Sequence, residues 1–241
     1  MNVVVQPQVA ALGLATLAPS VQVPLAAAPG VGALALSGTA PTLSAAFLYD
    51  TFTGAAGGLA SHVGEVGASW VDMGGGPVNA AVELDGSGSV QINTAGDYFS
   101  DPSGAPIAST GFTFGLGVTS LTTNDDPYVS LNAWDSTATL RGPNIYVYLS
   151  SGVLNAGASV TTAVTGYDTG SIPVSNPTAP HDYAVRVSNL GQTVELLIDG
   201  ALAATLSIGV GEMPVCTVMS LEISDSTSGR IGVQYVNGVY S

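Results

Sequence analysis

The stretch from 181 to 208, HDYAVRVSNLGQTVELLIDGALAATLSI, states its backbone geometry more plainly than any other part of the chain. Tyr183, Val185 and Val187 alternate with Ala184 and Arg186, and Val194, Leu196 and Ile198 alternate with Glu195 and Leu197. A period of two is that of a strand with one buried face. Asp199-Gly200 then supplies the two positive φ values of a two-residue type I′ turn, and Leu202, Ala204, Leu206 and Ile208 resume the alternation. The stretch reads as three consecutive antiparallel strands.

The same alternation runs from residue 47 to the end. It is carried by Phe52; Val82 and Leu84; Val90 and Ile92; Phe112, Phe114, Leu116 and Val118; Val129, Leu131 and Ala133; Ile145, Val147 and Leu149; Met219, Leu221 and Ile223; and Ile231, Val233 and Tyr235. Turn formers separate these segments, among them Asp85-Gly86, Asp101-Pro102-Ser103-Gly104, Asn124-Asp125-Asp126-Pro127, Arg141-Gly142-Pro143-Asn144, Ser175-Asn176-Pro177 and Asn237-Gly238. About a dozen strands without any 3.6-residue period argue for an all-β, two-sheet antiparallel sandwich over 47–241, best drawn as a jelly roll.

Two segments resemble known domains. His181, Tyr183, Ala184, Val185, Gly191, Val194, Leu196, Ile198, Asp199, Gly200 and Leu202 resemble the closing part of concanavalin A-like/laminin-G-like jelly rolls. Leu48-Tyr49-Asp50-Thr51-Phe52-Thr53-Gly54, followed by Gly58-Leu59, His62 and Trp70, resembles the start of such domains in virion proteins of tailed bacteriophages. The resemblance implies a structural protein of a virus particle, and a Ca²⁺ at a loop rim of the kind laminin-G-like domains often carry.

Residues 1–46 are a different kind of sequence, with no charged side chain before Asp50 and no aromatic one before Phe47. Pro7-x-Val9-Ala10-Ala11-Leu12-Gly13-Leu14, closed by Ala18-Pro19-Ser20, recurs 22 positions later as Pro29-x-Val31-Gly32-Ala33-Leu34-Ala35-Leu36, closed by Ala40-Pro41-Thr42. Each copy reads as one short strand that an Ala-Pro exit keeps out of a central ladder. Two short strands cannot bury themselves, so Val9, Leu12, Leu14, Val31, Leu34 and Leu36 are expected to pack on other virion proteins or a sister subunit as an assembly arm, or to extend the sandwich's own sheets.

Composition narrows the partners. Of 241 residues only 8% are charged, the cations are Arg141, Arg186 and Arg230, and the formal charge is −14. Such a chain has little with which to neutralise phosphates and repels nucleic acid and anionic lipid. Cys216 stands alone in Pro214-Val215-Cys216-Thr217-Val218-Met219 and reads as a small buried hydrophobe. No basic residue follows Met1, and Gln6, Pro7, Gln8 and Pro19 interrupt an export core, so the expected route is synthesis in the host cytoplasm without a signal peptide.

Candidate chemistry is sparse. Glu83-Leu84-Asp85 resembles the Glu-x-Asp-x-x-Glu strand of one family of jelly-roll glycosidases, but Gly86-Ser87-Gly88 follows where the third carboxylate belongs, which reads as a turn. His62 and His181 lie in no metal-ligand spacing, and no nucleophile elbow is present. Asp125 and Asp126 make the densest oxygen cluster, read as a solvated turn with Ca²⁺ as the alternative. Tyr128, Asn132 and Trp134 share one strand parity with Ser130, and Tyr146 and Tyr148 can join that face if their strand is the neighbour. Such a row either lies under protein or forms an aromatic platform for a sugar. The expectation is a non-enzymatic virion protein on the outer surface of the particle, decorating the capsid, partnered by the major capsid protein and forming a homo-oligomer drawn as a trimer. The alternatives are a carbohydrate-binding adhesin of a tail or fibre and an extracellular lectin-like module.

Overall fold

The computed structural model describes residues 46–59, 62–67, 70–71, 82–92, 99–100, 111–121, 128–135, 141–224 and 231–240. The arm residues Val9, Leu12, Leu14, Val31, Leu34 and Leu36, and the turn carboxylates Asp125 and Asp126, lie outside the described residues. Among the described residues the regular structure is all strand. The strands are β1 (Ala46–Asp50), β2 (Gly57–Gly58), β3 (Trp70–Val71), β4 (Val82–Leu84), β5 (Val90–Ile92) and β6 (Phe99–Ser100). The long ones follow as β7 (Phe112–Leu121), β8 (Tyr128–Asp135), β9 (Arg141–Ser150) and β10 (Val153–Thr161), with the short β11 (Gly166–Asp168) and β12 (Ile172–Pro173) after them. Then come β13 (His181–Ser188), β14 (Thr193–Ile198), β15 (Ala201–Ser207), β16 (Cys216–Ser224) and β17 (Ile231–Tyr240).

Two antiparallel sheets carry the fold. A nine-stranded sheet runs β15-β14-β13-β7-β17-β5-β4-β2, with β1 also on β17, and a six-stranded sheet runs β11-β10-β9-β8-β16, with β12 also on β10. This is the jelly-roll sandwich expected from the alternation. The organising stretch forms the meander β13-β14-β15, and Asp199 and Gly200 both take positive φ, 51° and 76°, as a type I′ turn demands. The core lies between the sheets, with Phe112, Phe114, Leu116, Tyr183, Val185 and Leu196 from one and Val129, Leu131, Ile145, Val147 and Met219 from the other. Cys216 sits in it 1% exposed, its thiol pushed up to about 12 by burial, as a small core residue rather than a nucleophile.

Asp50 ties the first strand to the loops after it. It is 1% exposed, yet its carboxylate accepts the Phe52 backbone N–H at 2.6 Å, the Trp70 indole N–H at 2.6 Å and His62 Nε2 at 3.1 Å. Phe52 is held at φ 53° beside it, with its ring 5.9 Å from that of Trp70. The residues that resemble the start of virion jelly rolls are thus one hydrogen-bonded cluster. A buried carboxylate is tolerable only because donors surround it.

His181, at the entrance of β13, is a second pin. Its Nδ1 lies 2.8 Å from Asp199 Oδ2 and its Nε2 3.1 Å from the Asn176 carbonyl, so both nitrogens meet acceptors and both are satisfied only in the imidazolium. Burial alone pulls the imidazole pKa down; the Asp199 carboxylate and the Asn176 and Ser175 carbonyls outweigh it and hold the ring above its ordinary 6.5. His181 thus serves as a turn-side hydrogen-bonding residue at the strand entrance.

Two outcomes are expected in urea unfolding. Asp50→Ala strands the Trp70 and Phe52 N–H groups in a dry site and should cost about 3–5 kcal/mol. Because the His181 pKa is higher folded than unfolded, its contribution is complete below pH 6.5 and lost as the pH rises through the folded value, so the urea midpoint should fall over that window. Asp199→Asn should flatten the fall; an unchanged slope in that variant would assign the pH dependence to another group.

Candidate functional site

The six-stranded sheet has one face in the core and an opposite face made of polar and aromatic side chains. Its register lays that second face out as transverse rows. One row is Tyr128 of β8, Tyr148 of β9 and Asn155 of β10. The next is Glu222 of β16, Ser130, Tyr146 and Gly157, and the third is Ser220, Asn132, Asn144, Ser159 and Asp168 of β11. Trp134 stands at the end of β8, paired with Val218. The five residues read from parity alone, Tyr128, Asn132, Trp134, Tyr146 and Tyr148, therefore do share a face, because β8 and β9 are neighbours with Tyr128 opposite Tyr148.

The middle of the face is dry. Ser130, Asn132 and Ser220 are 0% exposed and Asn144 1%, and they bond one another. Asn132 Nδ2 donates to Ser130 Oγ at 2.8 Å and to Ser220 Oγ at 3.3 Å, while Asn132 Oδ1 accepts from Asn144 Nδ2 at 3.2 Å. Trp134 Nε1 donates to Ser220 Oγ at 2.7 Å, Ser130 Oγ donates to Glu222 Oε2 at 3.2 Å, and Ser159 gives both its N–H and its hydroxyl to Asn144 Oδ1. Asn132 is consequently the hub that fixes the indole and the carboxylate around it, and not a group left over for a ligand. A fully satisfied polar network of this kind holds its members in one geometry.

The half-buried aromatics are what the face presents. Tyr146 lies flat on the sheet: a Cβ on Gly157 would stand 2.2 Å from the Tyr146 Cζ and hydroxyl, so the ring occupies the space a side chain there would fill. Its hydroxyl crosses β10 to donate to Asp168 Oδ1 at 2.8 Å, and the Gly170 N–H holds the same oxygen. Burial, and then Asp168, push the Tyr146 phenol well above its ordinary value, so it stays neutral and donates. The Tyr148 hydroxyl pairs with Ser171 Oγ at 2.5 Å, and the two rings are 6.3 Å apart and inclined by 31°. Two tethered rings, tilted toward one another, make a preorganised apolar platform edged by hydrogen-bonding groups.

The rest of this face obeys the same parity, although parity alone does not say that β16 and β10 flank β8 and β9. Ser220 and Glu222 alternate with Met219 and Leu221, and Gly157 with Ala156 and Ala158, by the rule that singled out β8. The Glu83-Leu84-Asp85 segment is a turn entrance: Asp85 accepts the Ser87 and Ser89 N–H groups and the Ser87 hydroxyl, and the Ser87 bonds hold its carboxyl below the usual value. On the polar face the described carboxylates are Glu222 and Asp168. They stand four strand intervals apart, about 19 Å, against the roughly 5–9.5 Å of a glycosidase pair.

No family model and no curated protein matches the sequence. Solved structures do match the fold. An endo-1,3-β-glucanase from Streptomyces sioyaensis aligns with a TM-score of 0.56 at 12% identity, over 84% of this chain and 98% of its own. The CBM2 module of the evolved Dit of Lactobacillus casei BL23 phage J-1 aligns at 0.55 and 11%, over 82% and 96%. The endo-β-1,3(4)-glucanase SCLam of family GH16, co-crystallized with 1,3-β-D-cellotriosyl-glucose, aligns at 0.54 and 12%, over 83% and 96%. At these identities the likeness shows the fold.

The comparisons correct one expectation and leave another without support. The chain was expected not to be an enzyme, and that is overturned: endo-β-glucanases share its fold. A missing contiguous motif was the wrong test, since a pair of carboxylates can also be brought together from separate strands. Capsid decoration finds no support in these likenesses, and the link to phage comes through the J-1 module.

Gly157→Ala should lift the Tyr146 ring off the sheet and break its bond to Asp168. Because the end of the side chain can swing away, the expected stability loss is only about 1–2 kcal/mol. The sharper readout is ultraviolet phenolate titration, in which one raised tyrosine should move back toward 10.0.

Proposed function

We propose that this chain binds a neutral carbohydrate on the polar face of its six-stranded sheet, as a recognition domain carried on a bacterial virus particle. The observation that carries the reading is the Tyr146 ring, laid flat over Gly157 and clipped at its hydroxyl by Asp168, beside Tyr148 and within one sheet face of Trp134. A pyranose offers a C–H face to such a ring and hydroxyls to the carboxylates and amides around it. The carboxylates of Glu222 and Asp168, on a chain of charge −14, disfavour uronic or sulfated glycans. Placement on a virion draws support from the J-1 module and from the Leu48–Gly54 segment.

Glu222 gives the second reading, a glycoside hydrolase. It is half-buried on the same face and tied to Ser130, and structural neighbours of this fold include GH16 glucanases. Asp168, four strand intervals away, is too far to be its acid–base partner.

Calorimetric titration with laminarin, agarose oligomers and mixed-linkage β-glucan, beside alginate as an anionic control, tests the first reading. Binding of at least one neutral glycan is expected, with Trp134→Ala and Tyr146→Ala each weakening it about tenfold, or about 1.4 kcal/mol. Unchanged affinity in both variants moves the site off this face. Release of reducing ends in the same tubes, abolished by Glu222→Gln, selects the hydrolase.

A further inference from the structure

The nine-stranded sheet repeats the same construction on its own face away from the core. Tyr235 of β17 lies over Gly117 of β7, where a Cβ would stand 2.4 Å from the ring's Cε1 and 2.8 Å from its Cδ1. Its hydroxyl crosses β7 and donates to Asp182 Oδ1 of β13 at 2.7 Å. Asp182, Gly117 and Tyr235 form one transverse row; Ala184, Gly115, Asn237 and Tyr49 form the next. In the second row Asn237 Oδ1 leans over Gly115, 3.1 Å from where its Cβ would be, and Tyr49 closes the row 41% exposed.

Asp182 is itself held. Its N–H donates to Asp199 Oδ1 at 3.0 Å and its carbonyl accepts the Asp199 N–H at 2.8 Å, while its carboxylate is exposed. The patch is therefore a flat tyrosine on a floor of Gly115, Gly117 and Ala184, with Asp182 at one edge and Asn237 and Tyr49 at the other. Burial, and then the Asp182 carboxylate, keep the Tyr235 phenol neutral well beyond its ordinary value. Nearby Arg186 is spent on Glu195, at 2.6 Å, so the charge the patch offers a ligand is that of Asp182.

We propose that Tyr235, Tyr49, Asp182 and Asn237 form a second saccharide-binding site, on the opposite side of the sandwich from the first and selective for neutral sugars. A ring edge-bounded by a carboxylate and an amide suits a pyranose, whose C–H face stacks on the phenol while its hydroxyls donate to Asp182 and bond Asn237. An anionic ligand meets Asp182 with no free cation in the patch among the described residues. The site stands on its own residues and does not need the polar face to bind. Two sites on opposite faces would let one domain bridge two glycan strands, or hold a dense glycan surface with gain from multivalency.

The test is fluorine NMR of the full chain labelled with 3-fluorotyrosine, titrated to millimolar laminarihexaose and, separately, agarohexaose, with Tyr235→Phe and Tyr49→Phe assigning their resonances. Saturable shifts of Tyr235 and Tyr49 are expected with at least one sugar. They should persist in Trp134→Ala, which disables the polar face, and weaken about tenfold in Asp182→Asn. Movement of Tyr146 with Tyr235 and Tyr49 still would sink this site and leave the first intact. Movement of Tyr235 and Tyr49 alone would do the reverse, and no movement anywhere would overturn both. If Asp182→Asn leaves the Tyr235 shifts unchanged, the carboxylate takes no part in binding and the site as drawn is wrong.

Discussion

The six-stranded sheet depends on one constraint: the middle of its polar face is as withdrawn from water as the face in the core. One face meets the other sheet through Val129, Leu131, Ala133, Ile145 and Val147. The opposite face carries Ser130, Asn132, Asn144 and Ser220, which are no more exposed than the core and so must bond each other. Each stranded amide or hydroxyl would cost about 1–3 kcal/mol. Register follows from this, because a one-residue slip of β8 would drive Asn132 into the core and leave Asn144 without its acceptor. Trp134 and Glu222 inherit their positions from the same network, through Ser220 and Ser130.

Asp50 plays the corresponding part for the start of the sandwich. β1 is only five residues long, and the segments behind it are short strands and turns with little area to bury. A carboxylate that accepts from Phe52, His62 and Trp70 draws three points of that segment to one atom group. Charge-assisted bonds in a dry site are strong and directional, which lets a glycine-rich stretch be placed without much packing of its own. The positive φ of Phe52 is tolerable there because the Asp50 bond to its N–H and the Trp70 ring fix it on both sides.

Much of the fold was legible from side-chain parity. The meander β13-β14-β15, its Asp-Gly turn and the core stripes of β7, β8, β9 and β16 are local alternation, which a sequence displays directly. The polar face was half legible. Tyr128, Asn132 and Trp134 share one parity, and Tyr146 and Tyr148 join them on the condition that their strand is the neighbour, which the pairing of β8 with β9 meets. Glu222 could not be placed on that face, because β16 joins β8 across 88 residues between Asn132 and Ser220, a separation no local pattern encodes, and Asp168 lies on the three-residue β11, too short to show an alternation. Gly157 was invisible for a different reason. A glycine in a strand announces that something comes close, but only the cross-strand partner says that it is a tyrosine ring.

A chain so poor in charge has few electrostatic means of recognition. With three arginines and no lysine, it has no cationic groove to offer, and its tyrosines do the presenting instead. On each sheet a tyrosine is laid across a glycine of the next strand and caught by an aspartate one strand further, Tyr146-Gly157-Asp168 on one and Tyr235-Gly117-Asp182 on the other. A tyrosine standing free would lose side-chain entropy on binding; one already pinned at both ends has lost it during folding. Burial, and then the aspartate, raise the phenol pKa, so the hydroxyl stays a donor to the carboxylate. The same pair of groups therefore holds the plane flat and leaves an acidic edge, and such a surface favours a neutral ring with hydroxyls over any anion.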